Sequence, residues 1–142
     1  MSAANYDFPI ERGSSYRLAI VYKDADRNPI DITDWCARLT MTTAYKDIAK
    51  KSLSSTLVYS TTNTDYTQYK FYIEGSEGKI TLLLPADTTN SYDFDTAKYD
   101  LELQSPDDFY ALGGNYTIRI LYGLITIVKR NSGSSVALDC QE

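Results

Sequence analysis

The sequence predicts an all-β domain, a sandwich or a barrel, built from short strands. Three observations predict it. Apolar and polar residues alternate along most of the chain, which is the pattern of strands with one face in a core and the other in water. Turn-forming residues separate the alternating segments, and segments with the period of a helix are scarce. Short strands with turns between them are typical of sandwiches and barrels.

The alternating segments define the strands in order. Their apolar members are Tyr16, Leu18, Ile20 and Tyr22; Trp35, Ala37, Leu39 and Met41; Ile80, Leu82 and Leu84; Tyr99, Leu101 and Leu103; and Tyr116, Ile118, Ile120 and Tyr122. Turn sequences lie at 24–29, 75–78, 105–108 and 113–115. After Gly123 the apolar set changes phase to Ile125 and Ile127. A change of phase at a glycine predicts a bulge or a sharp bend there.

The remaining segments are less regular. Residues 85–91, PADTTNS, predict a single helical turn. Residues 43–52 fit either a short amphipathic helix or a hairpin tip, and residues 54–69 fit either a long hairpin or an ordered loop. Thr56, Leu57, Val58 and Tyr59, and then Phe71, Tyr72 and Ile73, are the strands predicted around that loop.

A chain of 142 residues fits one domain. We expect residues 1–130 to form a single β-sandwich domain with a flexible N-terminal arm at 1–5, followed by a polar C-terminal tail at 131–142, because both ends are rich in small and polar residues. The 43% of hydrophobic residues is enough for one core.

Composition argues against several functions. The net charge of −5 disfavours binding to nucleic acid or to an anionic membrane surface, since both need a basic face. The absence of histidine removes the usual general base and the commonest zinc ligand. No N-terminal signal sequence and no membrane-spanning apolar run is expected. We therefore expect Cys36 and Cys140 to be reduced thiols. Cys36 lies outward by alternation and is expected to behave as a small apolar residue.

The most acidic turn resembles a calcium loop at first. Asp24, Asp26 and Asn28 match the opening of an EF-hand loop, but Pro29 replaces the required glycine and Trp35 replaces the bidentate glutamate. A looser calcium site from Asp24, Asp26 and Asp31 stays open as an alternative. A solvated turn is favoured, and no metal is predicted.

Other motifs are weaker still. GSEGKI at 75–80 lacks the spacing of a phosphate loop and precedes a strand rather than a helix. The acidic pairs at 93/95 and 107/108 predict no sugar cleft. The sequon at 115–117 has meaning only in a secreted protein. We expect no catalytic residues and no cofactor.

Aromatic residues are the best candidates for a protein interface. The sequence contains 13 tyrosines, and aromatic anchors dominate interfaces. The candidates are Tyr6 and Phe8 in the N-terminal arm and Tyr45, Tyr59, Tyr66, Tyr69 and Tyr72 in the least regular part of the chain. For this second group two readings stay open, since the rings either cap the core or form a contact surface for protein or sugar.

Three segments together resemble a family of small structural proteins of tailed phages. They are RGSSYRLAIVYKDADRNPIDITDWCARLTMTT, GKITLLLPADTTNSYDFDTAKYDLEL and YTIRILYGLITIV. In that family a strand passes a turn of the form D-x-D-x-x-P-I-D-I/L-T into a strand with A-R-L/M, and a Y-D-L-E-L strand and a closing strand with an internal glycine follow. The resemblance covers about residues 12–130. The tyrosine-rich insertion at 43–72 and the long turn SPDDFYALGGN depart from the family pattern.

The resemblance implies an immunoglobulin-like antiparallel β-sandwich without catalytic residues. Its most similar members are the collar proteins of T5-like siphophages. It implies a homo-oligomeric collar or baseplate ring, assembled in the bacterial cytoplasm and located in the virion tail. That ring contacts the tail tube or a baseplate protein and anchors the L-shaped side tail fibres. The alternative function is a carbohydrate- or receptor-binding module of a phage adhesion device.

Overall fold

The computed structural model of the chain describes residues 3–46, 52–106 and 114–129, and for residues 44–46 and 52–55 it describes the backbone alone. This part of the chain forms nine strands and two short helical segments. They are β1 (Ala4–Asn5), β2 (Phe8–Glu11), β3 (Tyr16–Val21), β4 (Cys36–Lys46), β5 (Ser52–Ser60), β6 (Lys70–Glu74), a 3-10 turn (Gly75–Glu77), β7 (Lys79–Leu84), α1 (Ala86–Asn90), β8 (Thr96–Gln104) and β9 (Thr117–Val128).

The strands form two sheets that pack face to face. The larger sheet has the order β1-β9-β8-β4-β5, with β2 also paired to β9, and the smaller sheet has the order β3-β7-β6. All pairs are antiparallel except those of β1 and β2 with β9, which are parallel. In immunoglobulin terms the smaller sheet is B-E-D and the larger is G-F-C-C′. The predicted all-β, immunoglobulin-like sandwich is confirmed.

Alternation along four strands builds the core, as the sequence predicts. In β3, β4, β7 and β8 the predicted apolar members are buried or half-buried. Their neighbours are exposed or half-buried in β3, β4 and β8, whereas in β7 the neighbour Thr81 is buried as well. The fully enclosed side chains include Ile10, Ile32, Leu39, Met41, Ile80, Leu84, Tyr99, Leu101, Leu103 and Ile125. Burying apolar surface of this kind stabilises a domain by about 25 cal/mol per Å², so the paired faces of the two sheets hold the fold together.

The least regular part of the sequence is a long hairpin. β4 runs to Lys46 and pairs with β5 from Ser52 onwards, so residues 43–46 and 52 are strand residues of a hairpin rather than helix. The intervening residues 47–51 lie outside the described part of the chain. The predicted strands at 56–59 and 71–73 lie within β5 and β6. The helical turn predicted at 85–91 is α1, which Pro85 caps and which joins β7 to β8.

The N-terminal segment lies along β9. Ala4 and Asn5 pair with Leu121 and Tyr122, and Phe8–Glu11 pair with residues 125–128 in the same register. Two residues of the arm predicted at 1–5 are thus strand residues, and residues 1–2 lie outside the described part of the chain. The predicted tail at 131–142 also lies outside it.

The bulge in β9 is not where the sequence predicts it. In β8 the consecutive residues Leu101 and Glu102 pair with Leu121 and Arg119 of β9, respectively. Ile120 is therefore the extra residue of β9 at the bulge. The phase of β9 therefore changes three residues before Gly123, and Tyr122 is exposed rather than inward. The prediction was wrong because it attributed the change of phase to the glycine.

Gly123 is a glycine for a different reason, the close approach of the N-terminal segment. A Cβ at this position would collide with the carbonyl oxygen of Tyr6 and lie 2.7 Å from Oδ1 of Asp7. Tyr6 donates its N–H to the carbonyl of Tyr122 at 2.9 Å, and Asp7 Oδ1 accepts the N–H of Leu124 at 2.9 Å. The absence of a side chain at Gly123 lets these two backbones lie in contact.

Replacing Gly123 by alanine tests this requirement. The added methyl must push the N-terminal segment away from β9, so we expect Gly123→Ala to lower the free energy of unfolding by about 2 kcal/mol, measured by urea denaturation. Gly114→Ala is the matched control, because a Cβ there meets no atom within 4 Å. Equal stability of the two variants would contradict the account.

Candidate interaction surfaces

The acidic segment at 24–34 is a corner that joins β3 to β4. Asp24 Oδ1 accepts the N–H groups of Asp26 at 2.9 Å and Asn28 at 3.0 Å. The N–H of Asp24 is donated to the carbonyl of Asn28 at 2.9 Å. Asp24 therefore satisfies the backbone of its own turn, which is the usual task of an aspartate at such a position.

The second half of the corner docks into the core. Ile32 is fully enclosed, Trp35 is buried, and the N–H of Ile32 is donated to the carbonyl of Gly75 at 2.9 Å. Asp31 Oδ1 accepts the backbone N–H of Thr33 at 2.9 Å and also its hydroxyl. These bonds lower the pKa of Asp31, the hydroxyl bond most, although the carboxyl is fully exposed. Asp31 therefore caps the backbone N–H of Thr33 within the same turn.

Tyr6 and Phe8 belong to an aromatic stack that ties the N-terminal segment to both sheets. The Phe8 ring lies 5.2 Å from that of Tyr16, nearly parallel to it, and 5.1 Å from that of Tyr99, edge-on. The Tyr99 hydroxyl donates to the carbonyl of Tyr6. Phe8 is 5% exposed, so it is a core residue rather than an interface residue, whereas Tyr6 is 46% exposed.

Burial also raises the pKa of two tyrosines in this stack. Desolvation raises the pKa of Tyr16 to about 12, with a smaller contribution from Tyr6. The pKa of Tyr99 is raised for the same first reason, and then by Tyr6 and Asp7. Both hydroxyls therefore stay protonated to a higher pH than the hydroxyl of an exposed tyrosine.

Tyr59 and Tyr69 cap the core beneath the long hairpin. Both are buried, and their ring centroids lie 4.6 Å apart. The Tyr59 hydroxyl bonds that of the buried Tyr92, and the Tyr69 hydroxyl accepts the N–H of Ser60 at 3.2 Å. Desolvation raises the pKa of both Tyr59 and Tyr92. For these two interface candidates the core-capping reading is the one that the structure supports.

Tyr66 and Tyr72 remain at the surface and share one cation. Tyr66 is 51% exposed and Tyr72 is half-buried. Lys70 Nζ lies 5.4 Å from the Tyr66 ring centroid and 5.1 Å from that of Tyr72, within cation–π range. We call this group the Tyr66–Lys70–Tyr72 cluster. The side chain of Tyr45, the remaining candidate, lies outside the described part, and its backbone pairs with Leu53 in the hairpin.

Two further surface features escaped the sequence analysis. A polar depression of about 440 Å³ lies beside Tyr59 and Tyr69 and is lined by hydroxyl and carboxylate groups, among them those of Thr88, Asp87 and Asp93. An apolar cleft of about 370 Å³ opens between β3 and β9. We call the second feature the edge cleft. Neither has a sequence motif, because each is assembled from strands distant in the chain.

Among residues 3–46, 52–106 and 114–129, no helix is long and apolar enough to cross a membrane. Within the same ranges, no group of three carboxylate or thiol side chains is placed to hold a metal ion. A scan of protein-family models and a search of curated proteins each found no match to the chain. The functional conclusion therefore depends on the fold, the surfaces and the sequence resemblance.

The hydrogen bonds of Asp31 predict a measurable titration. Because the lowered pKa belongs to the folded state, its contribution to stability is present above the unfolded pKa and is lost as pH falls through the folded value. We expect Thr33→Val, which deletes the hydroxyl, to raise the pKa of Asp31 towards the usual 3.8, as measured by NMR titration of the carboxyl carbon. Thr33→Ser keeps a hydroxyl and should keep the low pKa. An unchanged pKa in Thr33→Val would contradict this assignment.

Proposed function

We propose that the protein is a non-enzymatic structural component of a bacteriophage tail. In this proposal it forms a collar or baseplate ring that contacts the tail tube or a baseplate protein and anchors side tail fibres. The observation that carries the proposal is the immunoglobulin-like sandwich itself, which is the fold that the resemblance to tail proteins implies. A fold alone does not define a function, so the positions of the motifs matter as well.

Each family-like motif has a distinct structural task in this fold. The D-x-D-x-x-P-I-D-I-T motif is the corner between β3 and β4, where Asp24 and Asp31 bond the local backbone. The Y-D-L-E-L motif is the centre of β8, the strand between β4 and β9. The closing motif is β9, whose Gly123 admits the N-terminal segment. The motifs are therefore those that specify the sandwich. This supports a fold shared with the tail proteins that the sequence resembles, rather than a shared catalytic site.

The surfaces of the described residues favour assembly over catalysis. The carboxylates of Asp24 and Asp31 bond groups of their own turns, and two other carboxylates form cross-strand ion pairs, Arg38 with Glu102 at 2.9 Å and Arg119 with Asp100 at 3.1 Å. Exposed aromatic groups and open sheet edges are the means by which copies of a sandwich associate head to tail. Of the interface candidates whose side chains are described, Tyr6 and the Tyr66–Lys70–Tyr72 cluster lie at the surface.

Native mass spectrometry and particle composition test the proposal together. We expect the purified protein to form a closed ring of fixed copy number and to be present in purified phage particles. Replacing both Tyr66 and Tyr72 by serine should shift the ring towards protomers, because exposed aromatic anchors carry much of an interface's energy. Tyr116→Ser is the matched control, since Tyr116 is 37% exposed and belongs to another part of the surface. A protein that is monomeric at every concentration and absent from particles would refute the proposal.

A second candidate function is carbohydrate binding, and the polar depression favours it. Its hydroxyl and carboxylate lining beside tyrosine rings has the mixed character of a sugar site. If the protein binds glycans there, Asp93→Ala should abolish the signals on a glycan array, while Asp95→Ala, an exposed neighbour outside the lining, should keep them. An array without hits for the wild-type protein would exclude this function.

A further inference from the structure

Three side chains form a row across the outer face of the smaller sheet. Arg17 of β3 and Lys70 of β6 both pair with Leu83 of β7. Residues that lie directly opposite each other in a sheet share one of its faces. The next residues along the two outer strands, Leu18 and Phe71, are buried in the core, so the row points away from the core. We call Arg17, Leu83 and Lys70 the basic row.

The basic row has the composition of a contact site for an acidic protein surface. Arg17 and Lys70 are exposed, and the half-buried Leu83 lies between them. Their strands are two interstrand spacings apart, which is about 10 Å. Lys70 also belongs to the Tyr66–Lys70–Tyr72 cluster and lies within cation–π range of both rings. Arginine and tyrosine are both enriched in protein interfaces.

Positive charge is concentrated at one end of this sheet face. Four residues further along the strands, Lys79 of β7 lies opposite Glu74 of β6, so their charges offset each other. The row between the two ends consists of the uncharged residues Ala19, Thr81 and Tyr72. An acidic partner is therefore attracted to the basic row rather than to the face as a whole.

The end of the sandwich that holds the corner is acidic. Residues 24–34 contain four aspartates and one arginine. Two of these aspartates brace the backbone of the corner. Asp26, Asp34 and, in the adjoining 3-10 turn, Glu77 are exposed on this braced backbone. We call these three residues the acidic end. Groups that are already fixed in place lose little entropy when a partner binds.

The two charged surfaces lie far enough apart to contact two different neighbours. From Arg17 the chain runs extended to Lys23, where the corner begins. Six residues of strand span about 20 Å. A copy of the chain can therefore contact one neighbour through its basic row and another through its acidic end. Such a head-to-tail contact produces a ring when its rotation closes.

We propose that the basic row of one copy binds the acidic end of the next copy. Arg17 and Lys70 pair with the carboxylates of the neighbour, and the rings of Tyr66 and Tyr72 border the contact and exclude water from it. Complementary charges fix which surfaces meet and in what orientation. This inference rests on the proposed function, because it names the contact that joins the copies of the proposed ring.

An exchange of charges between two variants tests the inference, read by native mass spectrometry at low ionic strength. Arg17→Glu with Lys70→Glu reverses the basic row, and Asp26→Lys with Glu77→Lys reverses two charges of the acidic end. Each variant alone then brings like charges together, so assembly should require a protein concentration at least about tenfold higher than for the wild type. An equimolar mixture of the two variants should restore assemblies that contain both, because each reversed surface meets its complement.

The matched control changes two exposed acidic residues elsewhere. Glu11 ends β2 and Asp95 precedes β8, both in the larger sheet, so Glu11→Lys with Asp95→Lys should leave the assembly concentration within about twofold of the wild-type value. Thermal melting reports whether each variant is folded. If the reversed row prevents folding, the neutral pair Arg17→Gln with Lys70→Gln should still weaken assembly.

The outcomes separate this inference from the proposed function. Rings that persist in either reversed variant, or variants that do not assemble together on mixing, would overturn the inference and leave the proposed function standing. If rings persist but the variant with the reversed basic row is absent from phage particles, the row binds a different acidic tail protein, which also overturns the inference. Wild-type protein that is monomeric yet present in particles would overturn the inference alone, whereas monomeric protein absent from particles would refute the proposed function as well.

Discussion

The contact between the backbones of Tyr6 and Gly123 determines how this sandwich is closed. Because β9 has no side chain at this point, both N-terminal strands, at residues 4–5 and 8–11, pair with it in parallel and in one register. Phe8 and Ile10 then enter the core between the two sheets. The Tyr6 carbonyl also accepts the hydroxyl of Tyr99, which satisfies a polar group that would be costly to bury alone. The same pairing withdraws the N-terminal segment from β3, whose partner strand among the described residues is β7.

The polar residues that look most like a site for chemistry serve the backbone instead. Asp24 and Asp31 each accept the N–H of a residue two positions later, and Arg27 and Asp34 adopt positive φ angles of 66° and 67° within the same corner. The corner carries the chain between the two sheets and places Ile32 and Trp35 in the core. Its acidity therefore follows from turn geometry, which fits the proposed scaffold function.

Local pattern predicts much of this fold. The alternation of β3, β4, β7 and β8 depends on nearest neighbours alone, and the burial of Leu18, Leu39, Leu82 and Leu101 agrees with it. β9 was predicted less well, because the extra residue at Ile120 is defined by its pairing with β8. Gly123 lies where the close approach of the Tyr6 backbone leaves no space for a Cβ. From the sequence alone, a glycine required by such a contact cannot be distinguished from a glycine at a bulge.

The surfaces could be predicted only in part, since a tyrosine has the same signature whether it caps a core or faces water. Tyr59 and Tyr66 lie in the same polar, aromatic segment, yet Tyr59 bonds the buried Tyr92 and Tyr66 is exposed. Their difference is set by Tyr92, which lies in the connection between α1 and β8 and so follows later in the chain. The edge cleft is likewise a product of topology, because it exists only when residues 4–11 pair with β9 rather than with β3.

The parallel register of the N-terminal segment is the central claim, and interstrand nuclear Overhauser effects measure it directly. The account predicts cross-peaks between the backbone protons of Asn5 and Tyr122, of Tyr6 and Gly123, and of Ile10 and Ile127. Cross-peaks from residues 4–11 to residues 16–21 would instead place this segment beside β3, in the position of strand A, and would contradict this account of how the sandwich is closed.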